Sequence, residues 1–165
     1  MKPAGRDGLY TMEQLWQFYA RFNDVYFSNA LPVPKNIDYV ARLDGMPWDA
    51  VATVDIRVWP LVPEWNEYRI LFLRRFFVGR DPRLILSSRL HEMVHIYIDR
   101  FNPRCSEPHG RAFKELCQRL QDLGWNVDTA LDPSVPAFDP RVRRSKGFPV
   151  FGWISKVGNW IEAGD

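Results

Sequence analysis

The chain holds three histidines, and two of them stand four residues apart with a glutamate directly after the first: His91-Glu92-Met93-Val94-His95. Residues four apart on a helix share a face, so both imidazoles can address one ion. Glu92 is rotated about 100° from His91, close enough to reach a water beside that ion. Zinc with three protein ligands and one open position makes a catalytic site, whereas four protein ligands close it. Zinc lowers the pKa of water, and a neighbouring carboxylate can then take the proton. The pattern predicts one Zn2+ on His91 and His95, with Glu92 as catalytic base. Without a metal, a glutamate and two histidines in so apolar a helix would be costly.

The third ligand is read from position. A metzincin-type motif would place glycine and histidine at 98 and 101, where this chain has Ile98 and Phe101. His109 is the remaining histidine, and the pattern puts it in the first turn of the next helix, in line with Phe113, Leu116 and Leu120. Glu115, the competitor, lies roughly 120° off that stripe, so His109 is favoured. Asp99, four residues after His95, reads either as a partner for an imidazole N–H or as surface charge. Cys105, four before His109, reads as a small buried hydrophobe.

These residues need elements to hold them. Thr11 to Gln14 has the form of a capping box, and apolar residues at helical spacing then predict an amphipathic helix over 12–27. Leu31-Pro32-Val33-Pro34 should end it. Ile37 to Leu43, Ala50 to Trp59 and Glu67 to Val78 read as three strands of a small, mostly antiparallel sheet with one buried face. The stretch Arg69 to Phe77 is the expected edge against which an extended peptide could lie. Asp81-Pro82 starts a helix that carries the motif, is apolar on most sides and stops at Asn102-Pro103. A further helix is predicted from Ser106 to Leu123, with Gly124 as its C-terminal cap. The fold class is therefore α+β, with residues 1–130 as the metal-bearing domain and 131–165 as a proline-containing basic tail. That tail recovers helical spacing at Trp153, Ile154, Val157, Trp160 and Ile161.

Composition narrows the setting. The chain has 165 residues, 46% hydrophobic, enough for one domain with its own core. Residues 1–8 lack the apolar run of a signal peptide, no stretch of 18 apolar residues exists, and two cysteines cannot make a disulfide scaffold. A soluble, reducing, cytoplasmic setting without membrane contact is expected. Net charge is only +2, but residues 141–165 hold five basic and two acidic side chains, against 17 and 18 in residues 1–140.

The motif followed fourteen residues later by His109-Gly110-Arg111-Ala112-Phe113 resembles the H-E-x-x-H … H-G-x-x-F layout of the SprT-like (Spartan) metallopeptidases. Phe22-Asn23, Phe27 and Leu31-Pro32 also resemble that family's leader before its sheet. The resemblance covers roughly residues 10–124. It implies a compact zincin fold, zinc on His91, His95 and His109, Glu92 as base, and DNA-stimulated cleavage of proteins, notably those crosslinked to DNA. Residues 125–165 depart from it, since two cysteines cannot supply the zinc ribbon that many bacterial members carry. Single-stranded DNA remains a candidate partner through Arg141, Arg143, Arg144 and Lys146, flanked by Phe138 and Phe148. A protein or peptide is the expected substrate. Two rivals fit the same residues: a non-catalytic zinc-stabilised module whose tail binds nucleic acid, and a metal hydrolase acting on another carbonyl bond.

Overall fold

The capping box forms as the sequence signals it. The Thr11 hydroxyl accepts from the Gln14 N–H at 3.2 Å, and the Gln14 carboxamide accepts from the Thr11 N–H at 3.0 Å. Helix α1 (Met12–Phe27) follows and buries Leu15, Phe18, Tyr19 and Phe22. It ends before the prolines: Ser28 and Asn29 turn left-handed, with φ of 53° and 58°. Asn23 then clamps the returning chain, donating to the Leu31 carbonyl at 2.9 Å and accepting from its N–H at 3.0 Å. The computed structural model describes residues 1–5, 7–59, 62–101 and 107–145. Cys105, Lys146, Phe148 and the expected helix near residues 153–161 lie outside the described residues.

The sheet has three strands, β1 (Asn36–Val40), β2 (Ala52–Arg57) and β3 (Glu67–Leu73), in the order β1-β3-β2. β2 pairs antiparallel with β3, but β1 pairs parallel with it, so the sheet is mixed and not mostly antiparallel. The strand order follows the apolarity of β3. Tyr68, Ile70 and Phe72 are each at most 2% exposed, so this strand takes the centre and the two more polar strands flank it. Residues 41–51 therefore carry the chain from one edge of the sheet to the other. The expected third strand is also too long. Strand alternation would put Phe76 and Phe77 on opposite faces. A helical turn, α2 (Arg74–Phe77), buries Phe77 against Phe72 at 6.0 Å instead.

Asp81 caps α3 (Arg83–Phe101), accepting from the Arg83 N–H at 2.9 Å. Leu90, Met93, Val94 and Ile96 are fully buried, each worth roughly 1.5–3 kcal/mol, and α3 packs on α1, β2 and β3. It also packs on α4 (Arg111–Asp122), which starts later than the sequence suggests, with Gly110 as its N-cap. Gly124 (φ 100°) ends α4: its N–H donates to the Gln121 carbonyl, and that of Trp125 to the Leu120 carbonyl. The chain beyond it is no loose tail at first. Trp125, Val127 and Ala137 are at most 2% exposed, and the Asn126 N–H donates to the Ala137 carbonyl at 2.9 Å. A short helix, α5 (Pro140–Ser145), follows. Among the described residues no helix is long and apolar enough to cross a membrane. The fold is a mixed α+β domain of five α-helices and one sheet among the described residues.

Candidate metal centre

The pitch of α3 places His91 and His95 on one face, with their Nε2 atoms 3.1 Å apart. His109 stands in the turn before Gly110, outside the helix that the sequence suggested for it, yet its Nε2 lies 3.3 Å from that of His91 and 3.2 Å from that of His95. Two nitrogens bound to one ion at about 2.0–2.1 Å with a tetrahedral angle are about 3.3 Å apart. The triangle fits, and these three residues could hold a single metal ion. Phe113, fully buried, floors the triangle, its ring centre 4.8, 4.6 and 4.6 Å from those of His91, His95 and His109. Burial against this floor pushes the His91 imidazole down to about 4 and that of His95 to about 3, and lowers that of His109. All three are neutral near pH 7, the form in which imidazole binds metal.

Glu92 is 4% exposed, and burial raises its carboxyl to about 8, against the pull of a hydrogen bond from the Val54 backbone N–H. Val54 can donate because of the strand register. The Leu73 N–H donates to the Val51 carbonyl at 2.9 Å. Alternation then directs Thr53 and Asp55 toward β3, and the backbone groups of Ala52, Val54 and Ile56 away from it. β3 is paired on both sides, so the free edge beside the triangle is β2, not the Arg69 to Phe77 stretch.

A cavity of about 760 Å³ opens along that edge, with the three histidines and Glu92 on its wall. Ala52, Val54, Ile56, Val127 and Leu131 supply apolar lining. Asp49, Asp99, Glu107 and Asp128 add carboxylates, and no lysine or arginine lines it among the described residues. The chain matches no family model, no curated protein and no solved structure.

Other sequence-level expectations resolve residue by residue. Glu115 is far from the triangle's business: it is half exposed and bonded to Arg111 at 2.7 Å. Asp99 is neither an imidazole partner nor loose surface charge, since the Tyr68 hydroxyl and the Asn66 amide both donate to its Oδ2, at 2.6 and 3.0 Å. Arg141 pairs with Asp139 at 2.9 Å, and Phe138 packs on Trp125 at 5.0 Å. The side chains of Arg143 and Arg144 lie outside the described residues, as does Lys146. Sequence reasoning missed two backbone groups at the site. One is the Val54 N–H. The other is the Asp128 carbonyl, 2.6 Å from His91 Nδ1. Neither is announced by a side-chain type.

Proposed function

We propose that the protein is a zinc-dependent peptidase of the SprT-like, zincin kind, acting on protein substrates. The observation that carries the reading is the triangle of three neutral imidazoles with a buried carboxyl beside it, set in a cavity bordered by a free strand edge. Three imidazoles suit zinc among the common first-row ions. Zinc held there would polarise a carbonyl and lower the pKa of water. A bound cation would favour the ionised form of Glu92, which would then take the proton of the attacking water and pass it to the leaving amine. The outward backbone groups of Ala52 and Ile56 would hydrogen-bond an extended peptide. The cavity's carboxylates disfavour a phosphate backbone, which supports a peptide over nucleic acid as its occupant. Single-stranded DNA would then bind elsewhere, at Arg141, Arg143, Arg144 and Lys146.

Glu92→Gln tests the reading. The variant should keep one zinc per chain, while cleavage of an unfolded protein falls by about 10²–10⁴-fold. Assays run with and without single-stranded DNA on the wild type separate the rivals. Stoichiometric zinc with no cleavage under either condition supports the non-catalytic module, and full turnover in the variant removes Glu92 from the chemistry.

A further inference from the structure

We propose that residues 125–139 form the positioning strap of the metal centre, acting on His91 through the Asp128 carbonyl, so that metal loading and docking of the strap are coupled. The proposal rests on the metal reading of the triangle and not on peptide hydrolysis. A carbonyl can only accept, so its contact with His91 at 2.6 Å places the imidazole proton on Nδ1. That tautomer turns the Nε2 lone pair toward the other two imidazoles. The opposite tautomer would put a hydrogen where the ion belongs.

The Asp128 side chain takes no part in this contact: it is exposed, and its Oδ1 accepts from the Thr129 N–H at 2.7 Å. The carbonyl is placed by its neighbours. Gln121 of α4 donates to the Val127 carbonyl at 2.8 Å. Trp125 donates to the Tyr26 hydroxyl of α1 at 2.8 Å and packs edge-on against Phe22 at 5.3 Å. Asn126 donates through Nδ2 to the Asp132 carbonyl at 2.9 Å, and Ser87 of α3 donates to the Ala137 carbonyl at 2.9 Å. Three helices thus fix one backbone oxygen. The same strap supplies the Val127 and Leu131 wall of the cavity, so its docking shapes the space beside the ion as well.

Coupling between two binding events is reciprocal: whatever factor the docked strap adds to metal affinity, the metal returns to strap docking. Partners of metal-ligating imidazoles typically contribute 10–100-fold in affinity.

The test uses the full chain. Zinc affinity is measured by chelator competition, amide hydrogen exchange over 125–139 with and without zinc, and the His91 tautomer by ring ¹⁵N shifts. In the wild type, zinc should slow exchange in the strap by about 10–100-fold. Gln121→Ala should weaken zinc by a similar factor and shift the His91 ring signals toward a tautomer mixture. Gln118→Ala, which removes an exposed amide from the same helix, should bind zinc within about twofold of wild type. A purely structural role would lower the melting temperature of the metal-free protein without moving the ring signals. Should Gln121→Ala fail to fold, Asn126→Ala decides. Tight zinc binding that leaves strap exchange unchanged, or unaltered zinc affinity in both variants, overturns the strap alone. No zinc binding by the wild type overturns the metal reading and the strap together.

Discussion

Glutamine at position 92 should change how the stability of the metal-free protein depends on pH. Glu92 has an ordinary value of 4.5 in the unfolded chain and about 8 in the folded one, because burial disfavours its charge. Between those values the folded state keeps a proton that the unfolded state has lost. Stability from this group is therefore fully present below 4.5 and declines as pH rises toward 8. Each pH unit is worth up to about 1.4 kcal/mol, and half-ionisation near 8 brings the loss from pH 6 to 8 to about 2 kcal/mol. The imidazoles act in the other direction. His91 and His95, held down to about 4 and 3, make stability fall as pH drops below 6.5. They are common to both proteins, so they cancel in the difference. Urea unfolding in the presence of a chelator at pH 6, 7 and 8 gives that difference directly. Wild type should lose about 2 kcal/mol relative to Glu92→Gln across the range. A difference constant to within about 0.5 kcal/mol would refute the claim that burial keeps this carboxyl protonated.

The ligand assignment predicts that His109→Ala abolishes stoichiometric zinc while Glu115→Ala leaves it intact, as read by metal analysis after dialysis. Gly124→Ala should destabilise the domain by about 2–4 kcal/mol. Its added Cβ would collide with the Asp139 carbonyl oxygen and come within 3.3 Å of the Phe138 ring, at a φ that disfavours alanine. Chemical denaturation measures that loss. Asn23→Ala strips the Leu31 N–H and carbonyl of their side-chain partner at a buried position. A loss of about 2–4 kcal/mol should follow without change in zinc affinity.

Side-chain type and spacing carried the parts of the site that depend on local geometry. The His91–His95 pair needs only helix pitch, and the capping box at Thr11 needs only four residues. What periodicity could not give was partnership between distant segments. The place of β3 between β1 and β2 depends on which strand is most apolar, a comparison across the whole sheet and not a local pattern. Asp44-Gly45-Met46-Pro47 has the composition of a turn, yet it lies between two edge strands that never pair. Likewise Phe76 and Phe77 fit a strand on composition, yet the segment turns helical, with Phe77 packed on Phe72 and Phe76 on Phe77. The strap escaped because a stretch with two prolines and little periodicity looks the same whether it is free or laid down through Trp125, Val127 and Ala137.

Placing two candidate ligands on a helix and the third on a turn divides the centre into a pair and a separate arm. The separation of His91 and His95 is set by the backbone ladder of α3 and persists whatever they bind. His109 hangs from the turn in which the Gly110 N–H donates to the Glu107 carbonyl at 3.1 Å, with its ring on that of Phe113 at 4.6 Å. An incoming ion therefore has one arm to order instead of three, which favours capture. Its departure should begin at that arm, and the rate at which a chelator extracts it will follow the stiffness of residues 107–110 more than that of the helix.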